Sequence, residues 1–224
     1  AMTRWHSEKS SVAKTARRIS SMGLVSGTSG NVSKVIASPD GQALMAITPM
    51  ALPYELMNAD DVVVVDFDAE PVEGDGTPSS ESLLHLAIYR ARPEIGAVIH
   101  THSVYASSLA VAGKELPPII DEATITLGGA VQVSEYAFSA SENLATNVCD
   151  ALGERKAALI RNHGLVGVGS DLDEALEICT LVEHVAQIYV NSTVLGGVTT
   201  LPPDVVESEI EVYRMRNPKI RGDG

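Results

Sequence analysis

Apolar residues recur at two spacings along this chain. Val12, Ala13, Ala16, Ile19 and Met22 fall near one face at helical period, with Lys14, Arg17 and Arg18 elsewhere. This predicts a helix over Ser10 to Val25, weakened at Gly23 and ended by Gly27. Ala43 to Thr48 and Val62 to Asp68 read as strands, the first returning from a hairpin turn at Ser38-Pro-Asp-Gly41. The segment Glu70 to Thr77 reads as a loop. Ser79 to Arg92 reads as a helix, opened by serine hydroxyls and stopped by Pro93. Val98 to His102 is a short buried strand, and Val104 to Ala112 a helix closed by Gly113. Leu116 to Glu122 is extended or turning, and Ala130 to Ser134 a strand. Ser141 caps a helix to Leu152, and two strands, Ala157 to Asn162 and Leu165 to Val168, hinge at Gly164. Asp171 to Leu195 is the longest helix, with Asp171 and Glu174 spaced as a capping box. Pro202 and Pro203 open a last helix to about Arg216. Strands and helices are interleaved, but the early hairpin argues against a purely parallel sheet. The expected fold is a single-domain three-layer α/β/α sandwich over residues 1–224, around a mixed, mainly antiparallel sheet.

Composition narrows the partners. The formal net charge of −13 repels phosphate backbones and argues against nucleic acid. An anionic substrate would need a locally built site of amides, hydroxyls and metal. With only 4% aromatic residues, aliphatic packing must fill the core. Cys149 and Cys179 are far from any paired motif and read as small hydrophobes in a reducing compartment. No apolar run approaches the roughly 18 residues of a membrane span, and no signal-peptide hydrophobic region is seen. The expectation is a cytoplasmic protein. Ala1 before Met2 reads as a cloning remnant.

The candidate chemistry lies at strand ends. His100 and His102, two apart on a strand, point to one side. His163 follows another apolar run, and Glu81 stands near a helix start. Each has an ordinary explanation: a strand-end imidazole satisfied by a neighbour, or a carboxylate favoured by the helix dipole. Together, three imidazoles and one displaceable carboxylate make a tetrahedral metal set. Gly27-Thr-Ser-Gly-Asn31 exposes amides, hydroxyls and a carboxamide, although it is neither a Walker loop nor a dinucleotide fingerprint. Ser79 and Ser80 form a second donor pair, directly before Glu81. A phosphate held there would leave the next substrate carbons beside the carboxylate.

Gly27-Thr-Ser-Gly-Asn-Val-Ser33, Pro78-Ser-Ser-Glu81, His100-Thr-His102 and Asn162-His-Gly164 resemble, in order and spacing, the class II aldolase/adducin family from Ser10 to about Arg216. The resemblance implies Zn²⁺ (or Mn²⁺ or Co²⁺) on His100, His102 and His163. It implies Glu81 as catalytic carboxylate and occasional fourth ligand, and phosphate binding by Gly30, Asn31, Ser79 and Ser80. It further implies a homotetramer with sites between subunits. The implied reaction is retro-aldol cleavage of a ketose 1-phosphate to dihydroxyacetone phosphate and an aldehyde, through an enediolate stabilised by the metal. Two positions depart from the pattern. Met50-Ala51 stands where the family's aldolase has Thr-Gly, and Asp121 falls near that enzyme's proton-donating tyrosine, with Glu122 beside it. The alternatives are a sister epimerase, dehydratase or sugar-acid decarboxylase, or an adducin-like scaffold without catalysis.

Overall fold

The computed structural model describes residues 4–221; Ala1 lies outside them. Seven strands form one sheet: β1 (Asn31–Ala37), β2 (Ala43–Ile47), β3 (Val63–Val65), β4 (Pro71–Glu73), β5 (Ala97–Thr101), β6 (Ala157–Ile160) and β7 (Gly164–Gly169). Their order is β4-β3-β2-β1-β5-β7-β6. Every ladder is antiparallel. The expected parallel admixture reduces to one isolated bridge, Val133 with Leu159.

Helices α1 (His6–Ser21), α3 (Val104–Ala112) and α6 (Leu172–Val194) cover one side of the sheet, and α2 (Ser82–Ala91) and α5 (Glu142–Leu152) the other. Strand alternation sorts the layers. On β5, Ala97 and Ile99 join the α6 side, and Val98 joins the α2 side. Helix α4 (Asp121–Leu127) packs on α6 and on α7 (Pro203–Arg216).

Several boundaries differ from expectation for local reasons. Helix α1 ends at Ser21 because Gly23, at φ 71°, closes a Schellman motif: the Leu24 N–H reaches the Ile19 carbonyl at 2.9 Å. Gly27 takes no part. Strand β3 stops at Val65 because the Asp66 side chain accepts the N–H groups of Asp68 and Glu70, turning the chain into β4, which occupies part of the expected loop. Helix α2 begins at Ser82; Ser79 and Ser80 precede it in a turn, where the Ser79 hydroxyl accepts the Glu81 N–H at 3.3 Å. The segment expected to be extended or turning after Leu116 enters α4 at Asp121. The strand expected over Ala130 to Ser134 is reduced to isolated bridges at Val131 and Val133, after Gly128 and Gly129 at positive φ. The capping box of α6 is half formed: the Asp171 carboxylate accepts the Glu174 N–H at 2.9 Å, but the Glu174 carboxylate turns to Ser170 and Lys156.

Candidate metal and substrate site

Strand β5 lies between β1 and β7, and the site forms where it ends. His100 is opposite Asn31 on one neighbour and Val166 on the other. It points to the α2 side and is fully buried. Its Nδ1–H donates to the Leu165 carbonyl at 2.9 Å, which leaves the Nε2 lone pair facing the site. His102 follows two residues on, just past the strand. His163 arrives from the turn between β6 and β7. Asn162 there adopts φ 56°, a left-handed conformation that Asn tolerates better than most residues. Gly164 is required by packing: a Cβ at this position would lie 2.3 Å from the Thr101 carbonyl oxygen and crowd both His100 and His102. Its missing side chain lets β7 bring His163 against β5.

The three Nε2 atoms converge. His100 Nε2 lies 2.9 Å from that of His102 and 3.3 Å from that of His163. Glu81 closes the group, with Oε2 3.2 Å from His100 Nε2 and Oε1 3.4 Å from His163 Nε2. Neutral imidazoles facing one another this way repel unless a cation lies among them. A tetrahedral zinc with bonds of about 2.0–2.1 Å sets its ligand nitrogens about 3.3 Å apart; the two separations from His100 come near this, and all three ligand atoms lie within 4.8 Å of one another. Glu81 Oε1 is also buried without a hydrogen-bond partner, as a group awaiting an ion or a proton would be.

The electrostatics favour the forms that ligation needs. Burial raises the Glu81 carboxyl, but His100, His163 and the Asn31 amide outweigh it and hold it at about 2. Burial, then His100 and His163, pushes His102 down to about 4. Burial and His100 lower His163. A neutral imidazole is the ligating form.

Beside these ligands opens a cavity of about 260 Å³. Gly30, Asn31, Ser79 and Ser80 line it, as do Thr28, Ser29, Met50, Ala51 and Ser139. Gly30, at φ 78°, lies so close to β5 that a Cβ would stand 2.7 Å from the His100 carbonyl oxygen. Ala51 holds a left-handed φ of 60° in the turn where Met50 reaches the cavity.

The family model for the class II aldolase and adducin N-terminal domain matches residues 10–190. The chain belongs to the class II aldolase and adducin family. It is 34% identical over 201 residues to the 5-deoxy-D-ribulose 1-phosphate aldolase of Bacillus thuringiensis, covering 90% of this chain and 92% of that one. It is 32% identical to the L-fuculose phosphate aldolase of Escherichia coli K12, covering 90% and 89%. A solved L-fuculose 1-phosphate aldolase superposes with a TM-score of 0.87 at 33% identity, covering 95% and 98%. These relatives are aldolases, and the chain is an enzyme of that kind.

Within this class II aldolase, the eight residues singled out from sequence meet at one place. Asp121 and Glu122, whose expected place is a neighbouring subunit's site, are exposed in the first turn of α4, outside this chain's own cavity lining. Two residues escaped the sequence reading. Ser139 enters from the loop before α5, which carries no motif. His85 lies fully buried behind Glu81, and its signal was its place four residues on, the next turn of the same helix face.

Proposed function

We propose that this chain is a zinc-dependent aldolase that splits a ketose 1-phosphate into dihydroxyacetone phosphate and an aldehyde. The observation that carries the reading is the free Glu81 Oε1, buried between the imidazole triad and a cavity lined by serine hydroxyls and Asn31. The named relatives act on two such ketose phosphates. His100, His102 and His163 would hold the ion, which supplies Lewis acidity to the substrate's carbonyl oxygen. Ser79, Ser80, Gly30 and Asn31 hold the phosphate, so binding energy remote from the reacting bond fixes its position. The substrate bond between C3 and C4 breaks, its electron pair staying with C3. The C4 hydroxyl gives up its proton, through solvent, to the Glu81 carboxylate as C4 becomes the aldehyde. Glu81 serves the proton at C3, taking it from dihydroxyacetone phosphate in synthesis and returning it in cleavage. We read the chain as one domain of a cytoplasmic homotetramer. No helix among the described residues is long and apolar enough to cross a membrane.

Product analysis tests the reaction. Zinc-loaded protein given a panel of ketose 1-phosphates should release dihydroxyacetone phosphate. An epimer or a dehydrated product instead would assign it to a sister reaction. The unphosphorylated ketoses should turn over poorly; equal turnover would remove the phosphate site. Glu81→Gln should fold, keep near-normal zinc and lose at least ~10² in kcat. Wild-type kcat would take Glu81 out of the mechanism.

A further inference from the structure

Behind Glu81, the α2 side of the sheet holds a line of polar side chains amid aliphatic packing. Glu81, His85 and Tyr89 recur every four residues along α2 from its N-cap, and Asn31 and Ser33 lie two apart on β1. All five are buried. The Asn31 amide nitrogen donates to Glu81 Oε2 at 2.8 Å. Asn31 Oδ1 meets His85 Nε2. His85 Nδ1 lies 2.6 Å from Ser33 Oγ, and Ser33 Oγ 2.7 Å from the Tyr89 hydroxyl.

One arrangement of protons suits every link. The Asn31 NH₂ faces Glu81 and donates to its Oε2, the acceptor end of a carboxylate. Asn31 Oδ1 then accepts from a His85 that carries its proton on Nε2. Nδ1 is left as an acceptor for the Ser33 hydroxyl, which in turn accepts from Tyr89. An Asn31 turned over would set its carbonyl against the carboxylate.

A buried histidine satisfied by its neighbours is ordinary in a core. Here, however, the line runs to the catalytic carboxylate, engages Oε2 and leaves Oε1 the unpartnered atom. We propose that His85, backed by Ser33 and Tyr89, is a positioning residue for Glu81. It locks the Asn31 amide so that Oε2 stays occupied and Oε1 alone is presented to the substrate proton. The proposal rests on the aldolase reading.

The test uses the zinc-loaded enzyme and a ketose 1-phosphate that the wild type cleaves. His85→Gln should lower kcat by ~10–100-fold, the range for groups that orient a reacting residue from behind. Zinc content should stay near wild type, and KM should rise by less than kcat falls, because Asn31 is one of several groups on the phosphate side of the cavity. Because His85 acts through Glu81, adding His85→Gln to Glu81→Gln should cause no further loss. Tyr89→Phe touches neither Glu81 nor Asn31 and should lower kcat less, in the same direction; it serves if His85→Gln does not fold. Nitrogen-15 NMR of the wild-type imidazoles, with and without zinc, should show His85 protonated on Nε2 only. Wild-type kcat in His85→Gln, an equal fold-loss in both backgrounds, or a His85 protonated on Nδ1 would overturn the proposal. A wild type that cleaves no ketose 1-phosphate sinks the aldolase reading instead, and the NMR result still decides the network.

Discussion

Ile99 and His100 are neighbours on β5, both fully buried, yet they face opposite sides of the sheet and opposite physical demands. Ile99 points into the core beneath α1, α3 and α6, where aliphatic residues from Val12 to Ala186 make the contacts. His100 points to the α2 side, where aliphatic packing shares the space with Asn31, Ser33, His85, Tyr89 and Glu81. One face of the sheet is therefore free to maximise packing. The other bears buried polar groups, each costly unless paired, and these run to the Glu81 carboxylate. The strand joins the two, and at its end the parity of residue number decides which demand Ile99 and His100 meet.

The sharpest way to break this division is to change the two neighbours in turn. His100→Ala should abolish stoichiometric zinc uptake, read by elemental analysis after dialysis. The loss is on the order of 3–5 kcal/mol if the ~10–16 kcal/mol typical of closed zinc sites is shared among three ligands. Normal zinc in this variant would remove His100 from the metal set. Ile99→Ala should do the reverse. It should lower unfolding free energy by about 2–5 kcal/mol in urea titrations and leave zinc content and the kcat of the folded enzyme unchanged. A kcat effect without a stability effect would show that the faces are not independent.

A smaller effect sharpens the comparison through pH. Burial first, with His100 adding to it, pushes His85 down to about 3, so the folded chain keeps it neutral where the unfolded chain, at about 6.5, protonates it. The stability it contributes is full above pH 6.5 and is lost as pH falls from there toward 3. His85 alone accounts for about 1.4 kcal/mol per pH unit in that window. His102, held at about 4, acts in the same direction in metal-free protein. Urea midpoints of the metal-free wild type should therefore fall between pH 7 and 5, and less steeply for His85→Gln. Equal slopes would mean that His85 is not held neutral by the fold.

How much of this was readable beforehand follows the same division. The His100 and His102 pair was legible because a metal set calls for particular residue types at strand-dictated spacing, and His100-Thr-His102 states both in three letters. Glu81 with Ser79 and Ser80 was legible as a motif, but the serines' place outside α2 was not, because a capping hydroxyl and a pre-helical turn share the same composition. Helix α4 was hidden for a related reason. It is seven residues long, and its Ala123, Thr124 and Leu127 are buried in part against α6 and α7, partners far along the chain. His85 was visible as a letter but not as a participant, since only the packing of α2 on β1 brings it to Asn31 and Ser33.

The pairing of β5 has a consequence for how the gene can change. Asn31, His100 and Val166 sit abreast because the ladders on either side of β5 are aligned to the residue. Deleting one codon within Ala97 to Ile99 would turn His100 toward the aliphatic side and Thr101 toward Glu81. Both the imidazole cluster and the core packing would be disrupted in one event. The same deletion in the exposed turn at Asp40-Gly41 would alter only a hairpin tip. Length variation in this lineage should therefore accumulate at such tips and be absent from the central strand, a pattern that a library of single-codon deletions would reveal directly.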